Sequence, residues 1–70
     1  MNKSYVLLRM YDDLRAGKKL TINGCCTEYH ISVSTFRRYM AFLRGYFWEA
    51  YAQEIIYDSF STEYKLLEKL

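Results

Sequence analysis

The chain has no proline, and its glycines number only three, Gly17, Gly24 and Gly45. Its punctuation must therefore come from those glycines and from side chains that cap helices. Cysteine is confined to the adjacent pair Cys25–Cys26, and histidine to His30. Neighbouring cysteines bridge each other only with strain. With no second pair for a disulfide framework or a zinc site, the sequence reads as a reducing, cytoplasmic protein. A single histidine, no glycine-rich phosphate loop and no nucleophile beside a base make an enzyme the least favoured class. No catalytic residue, metal ligand or cofactor is expected. The acids Asp12 and Asp13 do not change this, because neighbours on a helix point about 100° apart and do not converge on one substrate. Long apolar runs are missing too: none approaches the ~20 residues that span a bilayer. No charged-then-apolar signal segment opens the chain, and no membrane role is expected.

What remains is a short, aromatic-rich chain. Its 70 residues are 51% hydrophobic and 19% aromatic, with eight tyrosines, which is far from the composition of a disordered segment. A chain of this size is a single domain, expected over 1–70. It buries only ~60% of its unfolded surface, which leaves no room for a deep cleft beside the core. The net charge is only +2, but it is unevenly placed. Between Tyr29 and Trp48 stand Arg37, Arg38 and Arg44 with no acid, whereas the acids lie before and after.

The apolar spacing predicts three helices, at about 4–16, 22–29 and 33–51. In the first, Leu7, Tyr11 and Leu14 recur at helical spacing with Met10 beside them and Arg9, Asp12, Asp13 and Arg15 opposite. Gly17 follows as a stop. Thr21 is placed to cap the second helix, with Leu20 and Cys25 at staple spacing. Gly24 in its first turn costs ~1 kcal/mol relative to alanine. A glutamate there would have completed a capping box. His30, Ile31 and Ser32 form the turn. Ser32 caps the third helix, Ile31 and Phe36 repeat the staple, and Phe36, Met40, Leu43 and Phe47 continue its apolar face. Beyond it, Glu54–Asp58 and Thr62–Leu67 are rich in strand formers around Ser59-Phe60-Ser61, which reads as a β-hairpin at about 54–67.

Two short helices joined by a tight turn, with Cys25, Tyr29, Ile31, Phe36 and Met40 filling the corner and small Cys26 at the crossing, suit a helix-turn-helix. With Phe36 inward, Ser34, Arg38 and Ala41 lie opposite and Arg37 on the flank. Arginine matches guanine O6 and N7 and also grips phosphate. The hydroxyls of Ser32, Ser34 and Thr35, with the free N–H groups of the helix start, suit a phosphate. Tyr39 is placed either to reach DNA or to cover a dimer contact. Tyr5, Tyr11 and Tyr29 read as core or boundary residues. Of Phe42, Tyr46, Phe47 and Trp48, part must close the core, and the remainder would mark a partner interface.

Over Tyr5–Arg44 the chain resembles the DNA-binding domain of DeoR-type and WYL-domain bacterial transcription regulators. The run from Ile31 to Arg44, ISVSTFRRYMAFLR, is similar to that family's recognition helix, and Gly17–Ile22 looks like its helix-strand-helix connection. Glu54–Leu67 looks like its hairpin wing. Gly24 stands at the family's usual glutamate, His30 at its turn glycine, Tyr39 at its aspartate, and Ser59-Phe60-Ser61 where basic residues are common. His30 must then accept a left-handed or strained backbone. The resemblance implies an α+β, mainly α, winged helix-turn-helix. Its third helix would read the major groove of double-stranded DNA through Ser32, Ser34, Thr35, Arg37, Arg38 and Tyr39, with the hairpin beside the backbone. It also implies a second copy or a larger effector domain as further partners. The alternative is a winged-helix protein-interaction module, such as an anti-repressor from a mobile element, suggested by the weakly basic wing and by Tyr46-Phe47-Trp48.

Overall fold

The computed structural model describes residues 2–67, so Met1 and 68–70 of the expected domain lie outside the described residues. Helix α1 (Lys3–Arg15), helix α2 (Ile22–Tyr29) and helix α3 (Val33–Tyr51) precede strands β1 (Ile55–Asp58) and β2 (Glu63–Leu66). The strands pair antiparallel. The fold is α+β, mainly helical, and has the winged-helix arrangement of three helices followed by a hairpin.

Each helix begins at a side-chain cap. Asn2 accepts from the Tyr5 N–H at 2.9 Å and starts α1 one residue earlier than the apolar spacing suggests. Thr21 accepts from Gly24 N–H at 3.0 Å, and Ser32 accepts from Thr35 N–H at 3.1 Å. Leu20 and Cys25 are both buried, as their staple spacing requires. Gly24 also has a structural reason. A Cβ there would stand 2.7 Å from the Thr21 hydroxyl oxygen, so the glycine leaves room for the cap.

The helix ends use left-handed residues. After α1, Gly17 has φ 82°. Its N–H donates to Leu14 C=O at 3.1 Å, and the Lys18 N–H donates to Asp13 C=O at 2.9 Å. These two bonds satisfy the last carbonyls of the helix. His30 closes α2 at φ 55°, ψ 46°, the left-handed conformation expected at this turn. Ala52 closes α3 at φ 54°, ψ 37°.

The core lies where α1 and α2 pack on α3. From α3 it takes Phe36, Tyr39, Met40, Leu43 and Phe47, and from α2 Cys25 and Tyr29. From α1 it takes Val6, Met10 and Leu14. The expected α1 stripe is therefore turned by one residue, with Leu7 and Tyr11 only partly buried at the edge. The reason is that α1 is apolar at Val6, Leu7, Leu8, Met10, Tyr11 and Leu14, more than one face, and packing on α3 selects among them. Tyr11 still stacks on Phe47 at 5.2 Å between ring centres, and its hydroxyl lies 2.8 Å from that of Tyr51.

In the hairpin, Ile55 pairs with Leu66, Tyr57 with Tyr64 and Asp58 with Glu63. Like charges directly opposite are unfavourable, and here each finds another partner. The Glu63 carboxylate lies 4.0 Å from Lys19 Nζ, while Asp58 turns into the loop. Leu20 adds a single-residue third strand. Its N–H donates to Tyr64 C=O at 2.8 Å and its C=O accepts from Tyr64 N–H at 2.7 Å. This fastens the hairpin to the α1–α2 connection. The Tyr64 ring then meets Phe36 edge-on at 5.5 Å.

A left-handed residue with a Cβ is strained by ~1–2 kcal/mol, a cost that glycine avoids. His30 is exposed and its side chain makes no hydrogen bond among the described residues. His30→Gly is therefore expected to raise stability by about 1 kcal/mol in urea denaturation followed by circular dichroism. An unchanged or lower midpoint would mean the turn relaxes the strain elsewhere.

Candidate nucleic-acid interface

The burial of Phe36, Met40, Leu43 and Phe47 fixes the rotation of α3. At about 100° per residue, Ser34, Arg38, Ala41 and Gly45 then face away from the core. All four are exposed. Three of them are small, so Arg38 projects from a low surface. Space around Gly45 is open, with nothing within 4 Å of where a Cβ would stand.

Arg37 lies on the flank toward the hairpin. It lines a groove of about 370 Å³ with Thr21 and Asn23 of the α2 start, Val33, and Tyr57 and Thr62 of the hairpin. Arg44 stands two turns further along the same flank. It shares a second hollow with Arg37 and Tyr64, and its guanidinium lies 5.9 Å from the Tyr64 ring centre. Arg44 belongs with the expected site residues, and its i, i+7 spacing from Arg37 is the signal that places it there.

The remaining expected residues divide. Ser34 is exposed and its hydroxyl has no hydrogen bond among the described residues. Ser32 and Thr35 are engaged with each other. The Ser32 hydroxyl accepts the Thr35 N–H and donates to Thr35 Oγ1 at 3.0 Å. Tyr39 is a correction. It is buried, 7% exposed, as part of the α3 core face. It sits one turn from both Phe36 and Leu43, so the helical period carries it inward, and it is no surface contact.

The charges are segregated in space as in sequence. Arg9 pairs with Glu28 at 3.5 Å and Lys18 with Asp13 at 3.7 Å. Arg37, Arg38 and Arg44 have no acidic partner within 4.0 Å among the described residues, so their charge faces outward. The hairpin tip is different. From Tyr57 to Tyr64 it carries Asp58 and Glu63 and no lysine or arginine. Burial pushes the Cys25 thiol up to about 11, so it is protonated at neutral pH. No group of three or more potential metal ligands occurs among the described residues. No helix among them is long and apolar enough to cross a membrane.

Comparison with family models, curated proteins and solved structures finds no match for this chain.

Replacing an N-cap serine by alanine costs ~1 kcal/mol. Ser32→Ala is accordingly expected to lower the unfolding free energy in urea by that amount, and Ser34→Ala to leave it within about 0.5 kcal/mol, as for a surface change. The two denaturation curves, compared with the parent's, check which serine is structural. Equal curves would remove Ser32 from the capping role.

Proposed function

We propose that the chain is a double-stranded DNA-binding module of a cytoplasmic bacterial transcription regulator, of the DeoR or WYL kind that its sequence resembles, with α3 entering the major groove. The observation that carries this reading is the outward face of α3, where three arginines without acidic partners among the described residues flank small residues on a doubly packed helix. Arg38, at the centre of that face, is the base-reading residue. Arginine presents two parallel donors that fit guanine O6 and N7. Arg37 and Arg44, on the hairpin flank, take phosphates and set the register. Ser34 adds a hydroxyl at the start of the helix.

Affinity in this arrangement comes mostly from phosphate contacts and falls with salt. The second reading, a protein-interaction module, draws on exposed apolar side chains away from the outward face of α3: Leu8 and Phe42 beside α1, and Phe60 at the hairpin tip. Duplex binding at low salt separates the two.

The two arginines have distinguishable signatures. Arg38→Ala is expected to weaken binding to a preferred duplex by about 1–3 kcal/mol and to flatten sequence preference. Arg37→Ala is expected to weaken binding about equally on all sequences and to reduce the salt slope by ~1. Fluorescence anisotropy over a salt series measures both. If Arg38→Ala binds as tightly as the parent at equal salt, the assigned face is wrong.

A further inference from the structure

The hairpin tip and the opposite side of the molecule hold two features that the DNA reading does not use. The first is Phe60, which is 99% exposed. It is not a loose loop residue. The Asp58 carboxylate accepts the N–H groups of Phe60 at 2.9 Å and Ser61 at 3.4 Å. Those two donors hold the carboxyl below its ordinary range, so the tip stays anionic and its backbone is tied beneath the ring. An aromatic ring fixed in water with an acidic shoulder is poorly suited to lie against phosphates and well suited to enter an apolar seat.

The second feature is such a seat. Between α1 and α3 lies an open groove of about 320 Å³ lined by Leu7, Leu8, Tyr11, Phe42, Leu43 and Tyr46. A dry apolar cavity of ~150 Å³ already accommodates benzene, so a phenyl ring fits. Its walls are left in water, with Leu8 63% and Phe42 64% exposed. Lys3 Nζ sits 6.0 Å from the Phe42 ring centre at one end, and Arg15 lies over Tyr11 at 5.9 Å at the other. Asp12 and Glu49 lie on neighbouring turns, four residues from Leu8 and three from Tyr46. Lys3 and Arg15 are the charges that stand over rings of the groove, where they complement Asp58.

We infer that the hairpin tip of one copy docks into the α1–α3 groove of a second copy, Phe60 filling the apolar floor and Asp58 facing Lys3. The two halves of this contact sit on different sides of the molecule. The hairpin flanks α3 on the side of Arg37, and the groove flanks it on the side of Phe42, about 140° around the helix. A copy that inserts its tip therefore leaves its own groove open. The contact is heterologous, and the inference takes its open, head-to-tail form, in which each free groove accepts a further copy. It needs no DNA, so its fate is independent of the α3 reading.

Sedimentation equilibrium of the full chain without DNA tests this. The parent is expected to gain average mass steadily with concentration, past that of two copies. Phe60→Ser removes the plug, and Leu8→Glu spoils the seat; each alone is expected to stay at one copy. An equimolar mixture of the two variants is expected to stop at two copies, because only the intact seat of one accepts the intact plug of the other. Circular dichroism verifies that each variant is folded, and Phe42→Glu replaces Leu8→Glu if the latter is not. The inference is overturned if the parent stays at one copy up to millimolar concentration, or if Phe60→Ser associates like the parent. It is also overturned if the parent stops at a closed dimer, or if the mixture fails to pair.

Discussion

Phe36 and Phe47, three turns apart on α3, are both fully enclosed, the first edge-on to Tyr64 of the hairpin and the second stacked on Tyr11 of α1. Burying a side chain of this size is worth about 1.5–3 kcal/mol, a large share of what so small a domain has to hold it together. The two contacts also do geometric work. They hold α3 at both ends against different elements, so the helix cannot rotate about its own axis. Every other assignment follows from that fixed rotation. Arg38 and the small residues turn outward, Arg37 and Arg44 turn toward the hairpin, and Phe42 and Tyr46 turn toward α1.

The same constraint gives the modest net charge its local meaning. Individual exposed ion pairs such as Arg9–Glu28 contribute little to stability. Their consequence is that Asp13 and Glu28, acids of the first two helices, are matched on the spot, while the arginines of α3 have no acidic partner among the described residues. A chain of charge +2 thereby presents one cationic face, while its hairpin tip is acidic and its α1–α3 groove apolar. The proposed binding to an anionic polymer and the proposed association with another copy draw on separate surfaces and different side chains.

Much of this was legible in the sequence because local signals agreed with one another. Thr21 and Ser32 cap helices that begin one residue later, and the staple pairs Leu20–Cys25 and Ile31–Phe36 point the same way, so α2 and α3 start and end where expected. His30 takes the left-handed turn that its position demanded. The hairpin lies within the expected stretch. Its pairing is set by a four-residue loop and extended by the Leu67 N–H donating to Glu54 C=O at 2.8 Å.

What the sequence concealed depended on contacts between distant residues. On α1, apolar residues cover too broad an arc for periodicity alone to choose Val6 over Leu7, and the choice was made by α3. Tyr39 was placed either to reach DNA or to cover a dimer contact, yet its spacing from Phe36 and Leu43 belongs to the core. Arg44 was visible as a charge seven residues from Arg37, and the hairpin's placement shows what that shared flank faces. Gly24, which seemed a weakness in the first turn of α2, proves to be the space that the Thr21 cap occupies.

On the proposed reading, the outward face of α3, fixed by its buried stripe, is the surface that meets DNA. Titration of duplex DNA into isotopically labelled protein at low salt, followed by amide chemical shifts, tests it directly. The account predicts that the largest shifts fall on Ser34, Arg37, Arg38, Ala41 and Arg44, with Leu8, Phe42 and Tyr46 little changed. Shifts concentrated on the α1–α3 groove, or none at all at low salt, would contradict it.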